Sequence, residues 1–528
     1  MSHLKQEEQK RQEQQKREQQ EQKESPRRQE AAASAMPPFA AAALVFFASG
    51  AVLILENIAV RLVAPYIGIN LQVNSAVIGT ALASIALGSW VGGRVADRVP
   101  PRAVIGWMLM LGGVTTLLVL PLVRAVGGMV NGTSPIAVIT LAGLAVIVPA
   151  ALLSTVTPLV VKLQLHDLYR TGSIVGRLSS LGTLGGILAT FVTGFVLVAS
   201  VRTSVILLAL GIVLTVGGLV CHLLLWGRTA RAVAAFTVLG VTATGLSVAA
   251  PQACDAETTY ACANIEALKG NPSVRVLKAS NAEISHVDLK NPTNLTMGYV
   301  QAIVAASDLV NPGGHLDGFH IGGAGETVPT YLERTRPSGD QLVYEIDGGL
   351  TELAKDRLNF KESDRLRVVT GDGRQGLQKQ PADSRDLVVG DAFGTHSPPW
   401  HLTTAETAEH VRRVLRPGGV YALNMIDFPP GDFARAEAAT LRSVFEHVVL
   451  ISYDAILDGK EGGNVVAVAS DEPLDMKALQ RRVSARDTTK QLKVADEQRT
   501  AKYAKGAQLL TDDYAPVDQL VTVPLRYW

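Results

Sequence analysis

The chain has 528 residues, 47% of them hydrophobic, and a formal net charge of only +1. That near-zero balance conceals +1 over residues 1–35, +8 over residues 36–250 and −8 over residues 251–528. A basic but nearly charge-free middle followed by an acidic remainder excludes a simple soluble enzyme, and it excludes a nucleic-acid binder whose affinity rests on a basic domain. Three cysteines (Cys221, Cys254 and Cys262) are too few for a disulfide scaffold or a four-thiolate zinc site.

Residues 1–35 begin as a run of Gln, Glu, Lys and Arg with hardly an apolar side chain. Such a stretch buries too little surface to offset its ordering entropy, so a disordered or loosely helical tail is predicted. It lacks the short apolar region and cleavage site of a signal peptide. A membrane domain is expected over 36–250, where apolar runs long enough to cross about 30 Å of hydrocarbon follow one another. Seven are read, at 38–55, 73–93, 103–123, 136–160, 178–200, 204–226 and 232–250. Glycines inside them (Gly79, Gly88, Gly185, Gly186, Gly194) suit close helix packing in lipid. Glu56 and Asn57, with Arg61 just beyond, are read as the interfacial end of the first span.

Alternate loops hold Arg94, Arg98 and Arg102; Lys162, Arg170 and Arg177; and Arg228 and Arg231. The intervening loops hold only Arg61, Arg124 and Arg202. The basic set predicts the cytoplasmic side of a cell membrane, with the N-terminus there too. Gly93–Arg98 also resembles the cytoplasmic loop motif of major-facilitator transporters. Seven spans would leave the C-terminal domain outside, where Cys254 and Cys262 can pair. The sequence leaves that side open, leaning outward.

A linker and small β region is expected over 251–315, with a hairpin of Val274–Lys278 and Ile284–Leu289 turning near Asn281-Ala282. From 316 onward strands at Gly318–Ile321, Leu342–Ile346, Leu366–Val369, Asp386–Val389 and Val420–Met425 alternate with helices near Thr327–Arg334, Leu350–Leu358 and Thr404–Leu415. Thr403 and Glu406 fit a capping box for the last of these helices. The expected architecture is a multi-pass α-helical membrane domain, then an α/β doubly wound, Rossmann-like domain of the S-adenosyl methyltransferase type with a small N-terminal β-hairpin.

Ligands on such sheets bind at the carboxyl ends of the strands. The first strand ends in Gly322-Gly323-Ala324-Gly325-Glu326, whose small residues let a ligand approach the backbone. Glu345 ends the second strand, placed to accept from both ribose hydroxyls. Asp372-Gly373 follows the third, where a carboxylate can accept from an adenine amino group, and Asp391 ends the fourth. The turn after the first strand is not a G-x-G-x-x-G, and there is no P-loop or nucleophile elbow. An adenosyl compound without a diphosphate follows, and with it S-adenosyl chemistry.

Residues 280–427, together with Leu510–Pro516, resemble the polyamine aminopropyltransferases (spermidine synthases), and specifically the branch fused to a membrane domain, whose membrane part Phe47–Arg98 also resembles. The resemblance implies transfer of an aminopropyl group from decarboxylated S-adenosylmethionine to a diamine such as putrescine, releasing methylthioadenosine, with no permanently bound cofactor. It implies that Gly322, Gly323, Gly325, Glu345, Asp372, Gly373 and Pro398 hold the nucleoside, that Asp391 accepts the proton, and that Tyr299, Gln301, Glu326, Asp513 and Tyr514 lie about the amine. The expected partners are a small amine and the lipid bilayer, with no nucleic acid, and the family's habit implies a homo-oligomer. The pattern departs from the family at Gly325 and Gly394, where it has aspartates, at Val300 and Gln301, where it has histidine and glutamate, and near Tyr453–Gly463, where its gate segment is absent. Two alternatives remain: a methyltransferase using intact S-adenosylmethionine, and a transporter or sensor with a non-catalytic domain of this kind.

Overall fold

The computed structural model describes residues 36–67, 71–129, 135–165, 168–227, 229–280, 282–393 and 397–521. The tail at 1–35, Asn281 and Gly394 therefore lie outside the described residues. The described residues form two compact units, one drawn from the stretches 36–59, 77–122 and 143–250, the other from 60–76, 123–142 and 251–521.

Among the described residues, seven helices are long and apolar enough to cross a membrane: α1 Pro38–Ile67, α2 Gln72–Arg98, α3 Pro101–Gly127, α4 Ile136–Gln164, α5 Thr171–Leu197, α6 Thr203–Leu225 and α7 Ala230–Ala249. They coincide with the seven apolar runs. The first differs in its end, because α1 continues through Glu56 and Asn57 to Ile67, and Asn57 folds back to donate to the Leu53 carbonyl at 2.7 Å. Within the first unit, glycines mark where backbones touch: a Cβ at Gly88 would lie 2.1 Å from the Ala151 oxygen, and one at Gly185 would lie 2.2 Å from that of Phe46. No larger residue allows such approach. At the end of α2, Asp97 pairs with Lys162 at 2.9 Å and the Arg94 guanidinium covers the Trp90 ring.

The second unit holds two sheets. Four antiparallel strands, β1 Ala256–Glu257, β2 Cys262–Leu268, β3 Asn271–Ala279 and β4 Ala282–Asp288, form the smaller, and the Cys254–Cys262 disulfide closes the loop at its start. The larger has eight: β5 Gly318–Ile321, β6 Gln341–Glu345, β7 Leu366–Thr370, β8 Arg385–Gly390, β9 Leu415–Asp427, β10 His447–Tyr453, β11 Gly463–Ser470 and β12 Leu492–Ala495. Their order is β12-β10-β11-β9-β8-β5-β6-β7. Strands β5 to β9 are parallel and β10 to β12 antiparallel. Helices α8 Gly298–Ser307, α9 Thr327–Thr335, α10 Gly348–Arg357, α11 Gly373–Gln378, α12 Ala405–Val414 and α13 Asp432–Val444 connect or cover them.

Alternation along the strands builds a core on each face. Leu387 and Val389 of β8, with Val420 and Ala422 of β9, join one cluster around α8, which is buried from Tyr299 to Ser307. Val388 and Tyr421, one residue out of step, join the opposite cluster with Phe319, Val411 and Phe433. Each large apolar side chain so buried contributes roughly 1.5–3 kcal/mol. The order of the parallel strands reverses between β5 and β8, which opens a crevice at their carboxyl ends.

Candidate active site

Hydrogen bonds from Gly322 N–H to the Tyr344 carbonyl and from Asp391 N–H to that of Ile321, both 2.9 Å, extend the parallel ladder to the strand ends. Gly322, Glu345 and Asp391 are thereby brought to one level. Gly322 has φ 92° and a Cβ there would lie 2.4 Å from the Asp391 carbonyl oxygen, so glycine is required by both conformation and space. Ala324 (φ 47°) and Glu326 (φ 57°) also adopt left-handed backbone, uncommon for such residues and a frequent companion of ligand-binding turns.

Glu345, 6% exposed, accepts from Gly323 N–H at 2.9 Å and Ala324 N–H at 3.0 Å through Oε2, and from Asp347 N–H at 2.9 Å through Oε1. Three of a carboxylate's roughly four acceptor positions are thus spent on fixing its orientation. Asp372 caps α11, accepting from Gln375 N–H at 2.9 Å, while its second oxygen lies 2.8 Å from His401 Nε2. Arg374 then ties this corner together: it donates to the His401 carbonyl at 3.0 Å and grips Asp512 with two bonds of 2.7 and 2.6 Å. A Cβ at Gly373 would lie 2.4 Å from Ile321 Cγ2, so close helix–strand packing demands a glycine. Pro398 borders a narrow cleft with Ile321, Ala392 and Asn424.

Asp391 accepts from Asn424 Nδ2 at 2.8 Å, and Asn424 is held in turn by Asn464 at 2.9 Å. Burial pushes the Asp391 carboxyl up to about 6, against the opposing pull of hydrogen bonds from Asn424 and Tyr299. The Tyr299 phenol, buried and next to the Asp391 charge, is pushed well above its ordinary value and stays protonated. A carboxylate with a pKa near neutrality, oriented by the Asn424 amide, is suited to accept a proton at physiological pH.

The amine-side expectations fare differently. Gln301 faces away from Asp391: its Nε2 donates to the Leu295 carbonyl at 2.7 Å. A helix turns 100° per residue, so 299 and 301 point to opposite sides. Glu326 is 0% exposed and, among the described residues, neither of its carboxyl oxygens has a hydrogen-bond partner. Burial, then the charges of Glu345 and Glu362, raise its pKa well above the usual carboxylate range, so it rests as a neutral acid rather than an anion for an ammonium group. Gly325 has a physical cause: a Cβ there would lie 2.5 Å from Ser285 Oγ and 3.1 Å from Val287 Cγ2, so β4 occupies the space an aspartate would need.

Asp513 and Tyr514 lie exposed on a surface turn, and Asp512 is the residue that reaches the site's periphery. The cap of α12 is also shifted by one residue. Thr404, not Thr403, accepts from Thr407 N–H, while Glu406 accepts from Asp512 N–H at 3.0 Å. Sequence reasoning missed Asn424, Arg374, His401 and Asp512 as supports, since each meets its partner across 27 to 138 residues of chain.

No protein-family model matches the chain. It is 27% identical over 209 residues to a polyamine aminopropyltransferase of Vibrio vulnificus (strain CMCP6), covering 38% of this chain and 68% of that one. It is 28% identical over 214 residues to a probable polyamine aminopropyl transferase of Bifidobacterium longum (strain NCC 2705), covering 37% of this chain and 46% of that one, less than half of its length. Among solved structures, a probable spermidine synthase from Corynebacterium glutamicum ATCC 13032 superimposes with a TM-score of 0.46 at 25% identity, over 51% of this chain and 98% of that one.

Proposed function

We propose, from the relationship of the chain's C-terminal half to the polyamine aminopropyltransferases, that this is a membrane-bound enzyme transferring an aminopropyl group from decarboxylated S-adenosylmethionine to a small amine, putrescine or a related diamine. The observation that carries the reading is one acid per strand end, Glu345, Asp372 and Asp391, over a Gly322–Gly323 turn, with Asp391 poised near neutral pH. Glu345 would hold the ribose hydroxyls and Asp372 the adenine amino group. The amine nitrogen attacks the aminopropyl carbon bonded to sulfur; the C–N bond forms as the C–S bond breaks, and the pair of that bond neutralises the sulfonium. Methylthioadenosine leaves, and Asp391 takes the proton the nitrogen sheds. Holding the amine in line with that carbon supplies much of the remaining acceleration.

Full-length protein in lipid nanodiscs, given decarboxylated S-adenosylmethionine and putrescine, is expected to yield methylthioadenosine and spermidine in equal amounts. One observation favours a second reading, methyl transfer from intact S-adenosylmethionine: the neutral Glu326 does not repel that donor's carboxylate as an anion would. Formation of S-adenosylhomocysteine without any aminopropylated product would establish methyl transfer and sink the first reading.

We propose that the N-terminus lies in the cytoplasm and the C-terminal domain outside, so that a donor made in the cytoplasm has to cross the membrane to reach it. Support comes from the arginine and lysine bias of the loops and from the Cys254–Cys262 disulfide, which suits an oxidising compartment. In a Cys221→Ser background, an impermeant thiol reagent should label intact cells only after reductant is added. Labelling that needs permeabilisation would put the domain inside.

A further inference from the structure

The loop closed by Cys254 and Cys262 carries a residue that reaches the nucleoside site indirectly. The Thr258 hydroxyl donates to Asp347 Oδ2, and the Thr258 carbonyl accepts from Arg61 Nη2 at 2.6 Å. One residue earlier, Glu257 meets Arg124 at 3.4 Å, with both side chains largely buried. All of these residues belong to the second unit. The fit is close: a Cβ at Gly349 would lie 2.8 Å from Thr258 Cβ. Asp347 itself is 1% exposed, caps α10 through Gly349 N–H at 3.1 Å, and donates its own N–H to Glu345 Oε1. A hydrogen-bonded path therefore runs from Arg61, in the last two turns of α1, through Thr258 and Asp347 to Glu345.

We propose that Arg61 and Thr258 are positioning residues for the nucleoside: by fixing Asp347 they hold the backbone N–H that orients Glu345, so donor affinity depends on a disulfide-closed loop that never touches the donor. A buried carboxylate deprived of its hydroxyl donor shifts to find another, and the N–H beside it moves with it. Burial raises the Asp347 pKa while the Thr258 bond opposes that rise, as expected for a carboxylate held by this contact. The inference rests on the reading of Glu345 as the ribose acid.

Methylthioadenosine binding to the full chain in nanodiscs is the test. Thr258→Val should weaken it about tenfold, a change of ~1.4 kcal/mol, and Thr258→Ser, which keeps the hydroxyl, should stay within twofold of wild type. Arg61→Met should weaken it similarly. With donor saturating, kcat and the KM for the amine should change less than twofold in all three. Unliganded melting temperatures identify any variant that fails to fold, in which case Arg61→Met carries the measurement in place of Thr258→Val. Wild-type affinity in folded Thr258→Val and Arg61→Met, or equal loss in Thr258→Ser, would overturn the proposal alone. A folded wild type that binds no methylthioadenosine would overturn both the proposal and the assignment of Glu345.

Discussion

Replacing Asp391 by asparagine is expected to lower kcat/KM about a thousandfold, within the 10²–10⁴ range of a positioned general base, while methylthioadenosine still binds. Asparagine keeps the shape of the side chain and offers an oxygen to Asn424 Nδ2, now at 2.8 Å from Asp391. What it cannot do is accept the proton released as the new C–N bond forms. The same residue sets a pH signature. With its pKa near 6, the carboxylate is the ionised, active form above that value. Log kcat/KM should therefore rise with unit slope up to about pH 6 and level off beyond it, and Asp391→Asn should lose that limb. A wild-type profile flat from pH 5 to 7, or a variant retaining full activity, would remove Asp391 as the base.

Glu326→Gln is expected to stabilise the protein substantially at neutral pH. In the folded chain Glu326 is enclosed and protonated, whereas in the unfolded chain it ionises near pH 4.3. Raising a carboxyl pKa on folding gives stability that is whole below the unfolded value and is lost as pH rises toward the folded one. The native state must keep the proton, at a cost that grows by about 1.4 kcal/mol with each pH unit between the unfolded and the folded pKa. Glutamine is neutral in both states and escapes this cost. Melting of wild type and variant should nearly coincide at pH 4.5 and diverge steadily toward pH 7, with the variant higher. A constant offset, or a variant less stable at pH 7, would mean that Glu326 is ionised with a partner of its own.

The seven apolar helices and the strand-end acids were legible because each signal is local: a hydropathy run, or a carboxylate closing a short β-rich run. The supports of the site were not. Asn424 looks like any polar residue of a central strand until Asp391 lies beside it, and Asp512 sits one position from the Asp513 that the resemblance suggested. The shift of the α12 cap from Thr403 to Thr404 has the same origin. Glu406, whose spacing suggested the box, is engaged by Asp512 N–H, a tertiary contact that overrides the local pattern. Burial of Glu326 was equally invisible, since its sequence neighbours are the small residues of an exposed-looking turn. The three antiparallel strands β10 to β12 were not read, although they widen the sheet on the side of Asn464.

The contact between Gly325 and β4 couples two distant stretches of chain. Because Ser285 and Val287 fill the volume over position 325, an aspartate could stand there only if the neighbouring strand withdrew or traded its side chains for smaller ones. The turn and the strand therefore form one epistatic unit, in which substitutions at 325 and at 285 or 287 are expected to be non-additive in stability.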